Sequence, residues 1–561
     1  MLSRPLITIW RYTSAELWRL VVLTASILVM VIGFALTVKF FAEGALGPLQ
    51  MLTFMAMAAV PMLQYALPFA GGFSATLVYH RLAQDNELTG ARAAGISHAA
   101  LLVPACVTGI ILAVTLSLLT EFVIPRFLLS MEGLVSESAA KIITHSIRHR
   151  KTIEAGNLRI YADDVQPQPG DPSELVLSGV IVERVDGDAK VLSSLIAAKA
   201  QVSLSRAREL GENEHSGRGA TIVRLRLHNA SVYGGEGVFV QTSLIEYAVA
   251  IPTRFDDDPK FLTLGQLRRA YENPDLLSPV NDRRINLARN IALREIEVLA
   301  SRALREKNSL EFRVPDGPRY VVHAGDMVWN GSGRQGWRFI PIEGEDVEIE
   351  RIGEDGTIRL RARFALLSRP WNQRGQIVEI GRLTGDQRLE FDLGLDDVRT
   401  VTDSGEIGQR DRHQIRRLRV SGDPTPGLLE LSSAELLEKS APYIDRSEPD
   451  EYILQPAGDL SRRIERIRRE IVGKQHERVA MSAACMVMML AGAVTAIRLG
   501  QAPPLVVYLW SFFPSLLTVL TISAGQPMVE NSGAIGFVML WGGVVVFAGY
   551  TLGAFVLLRS R

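Results

Sequence analysis

Residues 80–97 read HRLAQDNELTGARAAGIS, a short charged stretch held between two long uncharged runs. Residues 44–79 before it and 93–120 after it contain no Asp, Glu, Lys or Arg. Flanks this apolar belong in a bilayer, and a segment this charged does not. The stretch is therefore expected at a membrane surface, between two spanning helices, where a soluble partner can grip it. Asp85, Glu87 and Arg92 are charged, Leu88, Ala91 and Ala94 are apolar, and Gly90 and Gly95 permit close approach or a turn. A loop that only fixes topology accounts for Arg81 and Arg92, but not for mixed charge at helical spacing. One amphipathic helix over residues 80–95 is the expectation.

The same test extends outward along the chain. A helix rising about 1.5 Å per residue needs about 20 apolar residues to cross a hydrocarbon core about 30 Å thick. Six segments qualify: 20–38, 49–79, 96–120, 479–497, 504–525 and 534–558. The second is long enough to tilt, and Pro61, Pro68, Gly71 and Gly72 predict a bend in it. In the first, Lys39 is followed by Phe40 and Phe41 rather than a small-residue cleavage site, so a retained span is expected. Arg4, Arg11, Arg19, Arg81, Arg92, Arg498, Arg559 and Arg561 fall on one side of this layout, against Lys39 in the short loops of the other. Basic residues favour short cytoplasmic loops, which places both termini inside and residues 121–478 outside. The bases crowded into residues 462–478 run counter to this, but long translocated segments weigh little in the rule.

With 561 residues and zero formal charge, the chain exceeds one ordinary domain and offers no global basic field for nucleic acid. Both cysteines, Cys106 and Cys485, fall in predicted spans, which excludes a cystine-stapled outer module.

Residues 126–478 read as two β-rich blocks joined by helices. Val223, Leu225 and Leu227 alternate with Arg224, Arg226 and His228, and residues 175–183 and 243–251 read as further strands. In the second block Ile358, Leu360, Ala362 and Phe364 alternate with Arg359, Arg361 and Arg363. The turn GEDG at 353–356 joins that strand to residues 347–352 as a hairpin. Such strands predict antiparallel sandwich or jelly-roll layers. Ile285, Ala288, Ala292, Ile296, Leu299 and Ala303 recur at helical spacing between the blocks. Leu460, Ile464, Ile467 and Ile471 do so in a basic helix that enters the fourth span.

The expected division is therefore 1–125 with three spans, 126–280 as a β-rich jelly-roll-like domain, and 281–458 as an additional helical and β-rich module. A juxtamembrane basic helix at 459–478 and three more spans at 479–561 complete it. The fold class is an α-helical membrane protein, three spans plus three, around a large β-rich insertion.

No catalytic constellation stands out. The chain has no GxxxxGK[ST] loop for ATP and no HExxH. Gly331, Gly333 and Gly336 satisfy GxGxxG, but Trp337 to Ile340 read as a strand where a dinucleotide site needs a helix N-terminus, so a hairpin loop is expected. His145 and His149 share a helical spacing, but lack a third ligand in reach and sit among Arg148, Arg150 and Lys151. A solvated basic surface is expected there, and no metal. Lys39 closes the first span, where its amine can snorkel to the headgroups or attract an anionic lipid head.

The segment from 63 to 126, with ALPFAGGFSATLVYHRLAQDNELTGARAAGIS and the exit EFVIPR, resembles the LptF/LptG (YjgP/YjgQ) permease family. These are membrane subunits of the ABC exporter that extracts lipopolysaccharide from the bacterial inner membrane. Asp85, Glu87, Leu88, Arg92, Ala93 and Gly95 fill the places of that family's D-x-E-L-x-A-x-R-A-x-G-like segment, and Gly90 stands where alanine is usual. Residues 470–497, with His476 and Arg478, and APPLVVYLWSFFPSLL at 502–517 resemble the family's fourth and fifth spans. More weakly, RIYADDV at 159–165, VIVER and TSLIEYAVAIP resemble its periplasmic jelly roll, whereas residues 281–427 look inserted.

The resemblance implies a multi-pass inner-membrane permease without a cofactor of its own, ATP being used by a partner. Its implied partners are an ABC ATPase dimer, a sister permease, a periplasmic jelly-roll bridge protein and lipopolysaccharide or a related glycolipid. It makes Arg81, Asp85, Glu87, Leu88, Arg92 and Gly95 the ATPase-coupling set and Lys39 the lipid-headgroup candidate. A mechanotransmitting ABC subunit or a receptor with a sensing outer domain are the alternatives. The first has one span before its outer domain and three after, and the second needs a cytoplasmic output domain.

Overall fold

The computed structural model describes residues 4–42, 48–137, 152–155, 158–168, 171–185, 191–206, 221–234, 239–251, 258–315, 317–330, 336–342, 346–353, 356–368, 388–402 and 405–559. Helices α1 (Arg4–Ala42) and α2 (Pro48–Gln84) come first, then α3 (Glu87–Ala93), α4 (His98–Leu118), a π-turn (Leu119–Val123) and α5 (Ile124–Glu137). A first sheet holds β1 (Ile153–Ala155), β2 (Leu158–Gln168), β3 (Asp171–Val185), β4 (Val191–Arg206), β5 (Thr221–Gly234) and β6 (Phe239–Ile251). Helices α6 (Leu264–Glu272) and α7 (Ser278–Lys307) lead to β7 (Ser309–Arg313), β8 (Arg319–His323), β9 (Asp326–Asn330) and β10 (Gly336–Ile340). Then come β11 (Val347–Gly353), β12 (Gly356–Ser368), β13 (Phe391–Thr402) and β14 (Gly405–Val420). Helices α8 (Thr425–Glu430), α9 (Ser433–Ile444), α10 (Glu451–Arg498), α11 (Pro504–Ser532) and α12 (Ala534–Arg559) finish the chain.

Among the described residues six helices are long and apolar enough to cross a membrane: Leu6–Val38, Met51–Gln84, His98–Met131, Glu451–Arg498, Pro504–Ser532 and Ala534–Arg559. They overlap the six predicted runs and overshoot most of them, because polar residues at a span's end still satisfy the helical hydrogen-bond ladder. The chain divides into two compact units. One comprises Met1–Ile153, Thr253–Pro274 and Ile464–Arg561; the other comprises Glu154–Pro252 and Asp275–Arg463.

In the first unit, helix contacts depend on small residues, since lipid is as apolar as leucine and only close packing favours association. α2 stays helical through Pro61 and Pro68. Its glycines allow approach to α10: a Cβ at Gly72 would come within 3.3 Å of the Met488 carbonyl, and one at Gly492 would collide with the Gly72 carbonyl. Thr76 donates to the Gly72 carbonyl at 2.8 Å. Its single proton is then used, so Ser511 of α11 donates to Thr76 across 2.7 Å.

In the second unit the first sheet is a meander, β1 to β6 in sequence order. Among the described residues it shows no Greek-key crossing of the kind a two-sheet jelly roll requires. A row of breaks crosses it. The antiparallel registers pass over Asp163, Gly179, Ala198, Asn229 and Ser243 in turn. At that row the buried positions step by three, Ala162 to Val165, Leu177 to Val180, Ala197 to Ala200 and Leu227 to Ala230, which keeps one face inward. Such aligned irregularity puts a corner in the sheet.

Gly179, at φ 60°, makes the corner possible, because a Cβ there would overlap the Asp163 carboxylate. Gly179→Ala is expected to destabilise the sheet by at least roughly 1–2 kcal/mol, the cost of the left-handed backbone alone. Thermal unfolding of the full chain checks this, and an unchanged midpoint would contradict it.

The second sheet runs β11-β8-β7-β14-β13-β12-β10-β9 and also pairs β11 with β12. Hairpins β7–β8, β11–β12 and β13–β14 therefore close into a six-stranded ring, and β10 and β9 continue from β12. Phe312, Val322, Ile349, Ala362 and Leu393 are buried in it. A closed ring was not predicted: period-two alternation is the same in sandwich and barrel, and only edge pairing separates them. The GEDG hairpin is present, Gly353 facing Gly356.

Trp337 to Ile340 lie in a strand, as predicted, and a Cβ at Gly336 would come 2.5 Å from the Leu367 carbonyl. This glycine thus serves strand packing rather than a phosphate. The α7 stripe follows prediction at Ile285, Ala288, Ala292 and Ile296, but then buries Ala300 and Leu304 in place of Leu299 and Ala303. Contacts there stay on one i+4 ridge.

Candidate functional site

The charged stretch is an elbow made of two helices rather than one. α2 ends at Gln84, Asn86 takes φ 58°, α3 occupies seven residues, and Gly95 takes φ 83° before α4 begins. Two left-handed residues reverse the chain, which a continuous helix over 80–95 could not do. Ser97 then caps α4, its hydroxyl accepting from the Ala100 amide at 3.3 Å.

Leu88 is the anchor of the elbow. It is 7% exposed and belongs to the bundle core with Leu82, Leu101 and Leu102. Around it Asp85, Glu87, Arg92 and Gly95 are exposed, and a side chain at Gly90 would meet nothing within 4 Å. An open charged ridge on a fixed apolar foot can receive a partner without repacking the bundle.

Arg81 belongs elsewhere. It sits in the last turn of α2, donating to Glu16 at 3.0 Å and to the Tyr12 hydroxyl at 2.9 Å, both on α1. These two bonds brace the elbow against α1, while the Arg81 side chain stays exposed. Trp10 donates to the Ala100 carbonyl at 2.8 Å and Tyr79 to the Leu101 carbonyl at 2.9 Å, which further ties α1, α2 and α4 together. On the α10 side, a Cβ at Gly500 would lie 2.7 Å from that of Ala83, so the α10–α11 turn packs beside the elbow.

At the other end of α4, about 30 Å away for its 21 residues, lies a charged lock. The π-turn carries Glu121, whose carboxylate is 2.9 Å from the Arg478 guanidinium of α10. Arg478 is 4% exposed in its side chain and also donates to the Leu262 carbonyl at 2.8 Å. Lys474 and Glu477 pair at 2.5 Å one turn earlier. An isolated buried charge would be expensive here, and the pair together with the carbonyl satisfies it.

The sequence marked both ends of this lock without pairing them. Glu121 ends one uncharged run, and Arg478 is the last base before another. The bases around it are also less exceptional than their count suggested. Arg462 pairs with Asp459 at 2.8 Å and Arg469 with Glu465 at 3.1 Å.

Lys39 lies in the last turns of α1, and its side chain is outside the described residues, as are His145 and His149. Among the described residues no cluster of three or more His, Cys, Asp or Glu could hold a metal.

Residues 18–262 match the sequence model of the family described as lipopolysaccharide export system permease LptF/LptG. The matched interval holds the elbow, Glu121 and the first sheet. No curated protein matches the chain.

Proposed function

We propose, because residues 18–262 match the LptF/LptG permease model, that the chain is a member of that family and the membrane permease of an ATP-driven exporter of lipopolysaccharide or a related glycolipid. In this reading an ABC ATPase dimer grips the exposed ridge of Asp85, Glu87, Arg92 and Gly95, with Leu88 carrying its movement into the bundle. A sister permease completes the lipid cavity. Lys39 attracts the anionic headgroup, and a periplasmic jelly-roll bridge protein receives the lipid from the β-rich domain of residues 126–280, whose described strands form the six-stranded meander. Residues 281–458 form an additional outer module.

The bilayer is the inner membrane, with both termini cytoplasmic. Support comes from Arg81 and Arg92 at the elbow and from Arg498, which ends α10 two residues before the turn packed on Ala83. Acyl chains drawn into water cost about 0.8 kcal/mol per methylene, hence the need for fuel and a sheltered path.

The observation that carries this reading is the elbow inside the family-matched interval: charged, exposed, and anchored by one buried leucine. Purification of the full chain from its native membrane tests it. A co-purifying ABC ATPase, with a phosphorylated glycolipid identified by mass spectrometry, is the expected result. Recovery of neither would overturn the reading, and an ATPase whose turnover extracts no lipid from proteoliposomes would replace it with mechanotransmission.

A further inference from the structure

The six-stranded ring arranges its arginines in two ways. On the outer face they meet carboxylates: Arg359 lies 3.2 Å from Glu350, Arg361 3.7 Å from Glu348, Arg412 3.2 Å from Asp396 and Arg319 2.6 Å from Glu311. Two others share the inner-face register, Arg351 half-buried and Arg410 exposed. Along β11 the buried Val347 and Ile349 face inward, and the next residue in step is Arg351. Arg351 stands opposite the buried Tyr320 of β8, and its positive charge bears on that phenol.

On the third hairpin Asp397 takes φ 53°, which resets the alternation, so that buried Leu395 and Val398 both face inward. Opposite them on β14 stand His413 and Arg410. Burial first, then the charges of Arg410 and Arg351, hold the His413 imidazole below its ordinary value of 6.5. Both guanidiniums therefore bear on one imidazole, although they come from different hairpins. The carboxylate adjoining Arg410 in sequence, Asp411, is exposed. Strands β7, β11 and β13 end at Arg313, Gly353 and Thr402 on the same end of the ring, toward which these groups lie.

We propose that this end of the ring binds a phosphate-type oxyanion, gripped by Arg351 and Arg410 with Tyr320 and His413 completing the donor set. The guanidinium fork matches two oxygens of such an anion. Inorganic phosphate and the phosphorylated sugar of a glycolipid present the same chemistry. Only the second source rests on the permease reading above.

The test uses the full chain in nanodiscs. Inorganic phosphate is titrated by calorimetry, and a phosphorylated glucosamine lipid and its dephosphorylated form are compared in mixed micelles. Saturable phosphate binding is expected, weakened tenfold or more by Arg351→Gln and by Arg410→Gln. The outer-face variants Arg359→Gln and Arg412→Gln should leave it unchanged. Arg351→Lys keeps the charge but not the fork, so a smaller loss at an unchanged unfolding midpoint separates binding from folding.

Competition by the phosphorylated lipid alone assigns the anion to a headgroup. Phosphate binding without such competition assigns it to a free anion. Absence of saturable phosphate binding, or equal loss in the outer-face variants, overturns the site. Neither overturning result touches the ATPase and lipid co-purification on which the exporter reading depends.

Discussion

Reversing both charges of the elbow, Glu87→Lys with Arg92→Glu, is expected to abolish ATP-driven lipid release and to weaken ATPase association at least roughly tenfold, equivalent to about 1.4 kcal/mol. Both side chains are exposed and α3 is anchored by Leu88, so the bundle itself should melt as before. Like charges brought together at an interface repel, whereas an unpartnered surface tolerates the exchange within about 0.5 kcal/mol. Arg81→Ala provides the contrast. It removes an exposed ion pair to Glu16, worth about 0–1 kcal/mol, and should leave association nearly intact. Pull-down and ATPase stimulation in nanodiscs measure both variants. Normal association of the double-reversed chain would show that the elbow is not the docking ridge.

The second large effect concerns the lock at the far end of α4. Arg478→Met alone should destabilise the membrane unit by about 3–5 kcal/mol, because it leaves the Glu121 carboxylate buried without its cation. Glu121→Leu alone should cost a similar amount. The double variant should recover part of the loss, since an apolar pair leaves no unpaired charge, although the Leu262 carbonyl loses its donor. Thermal unfolding in detergent gives the three values. Additive losses would mean that the two residues do not act on each other.

Glu121 sits in a π-turn, whose extra residue rotates the helix end. That rotation accounts for a carboxylate meeting a guanidinium 357 residues away. No local pattern announces it. Thr120 fits the turn by donating to the Leu116 and Ser117 carbonyls, both at 3.0 Å.

The sequence alone determined the six apolar helices, the charged interruption at residues 80–97, the period-two strands and the hairpin at 353–356. These depend on hydropathy and local alternation, which act over a few residues and survive any packing. It also placed Leu88 among its charged neighbours, but could not tell an anchor from a contact, since burial is a property of what lies opposite.

Tertiary structure decided the rest. It split the elbow at Asn86 and Gly95, turned Arg81 toward α1, joined Glu121 to Arg478, and set a corner across the first sheet at Gly179. It closed three hairpins into a ring and brought Arg351 and Arg410 toward one end of it. Each of these is a pairing between distant segments, and pairing energy depends on geometry that composition and periodicity do not encode.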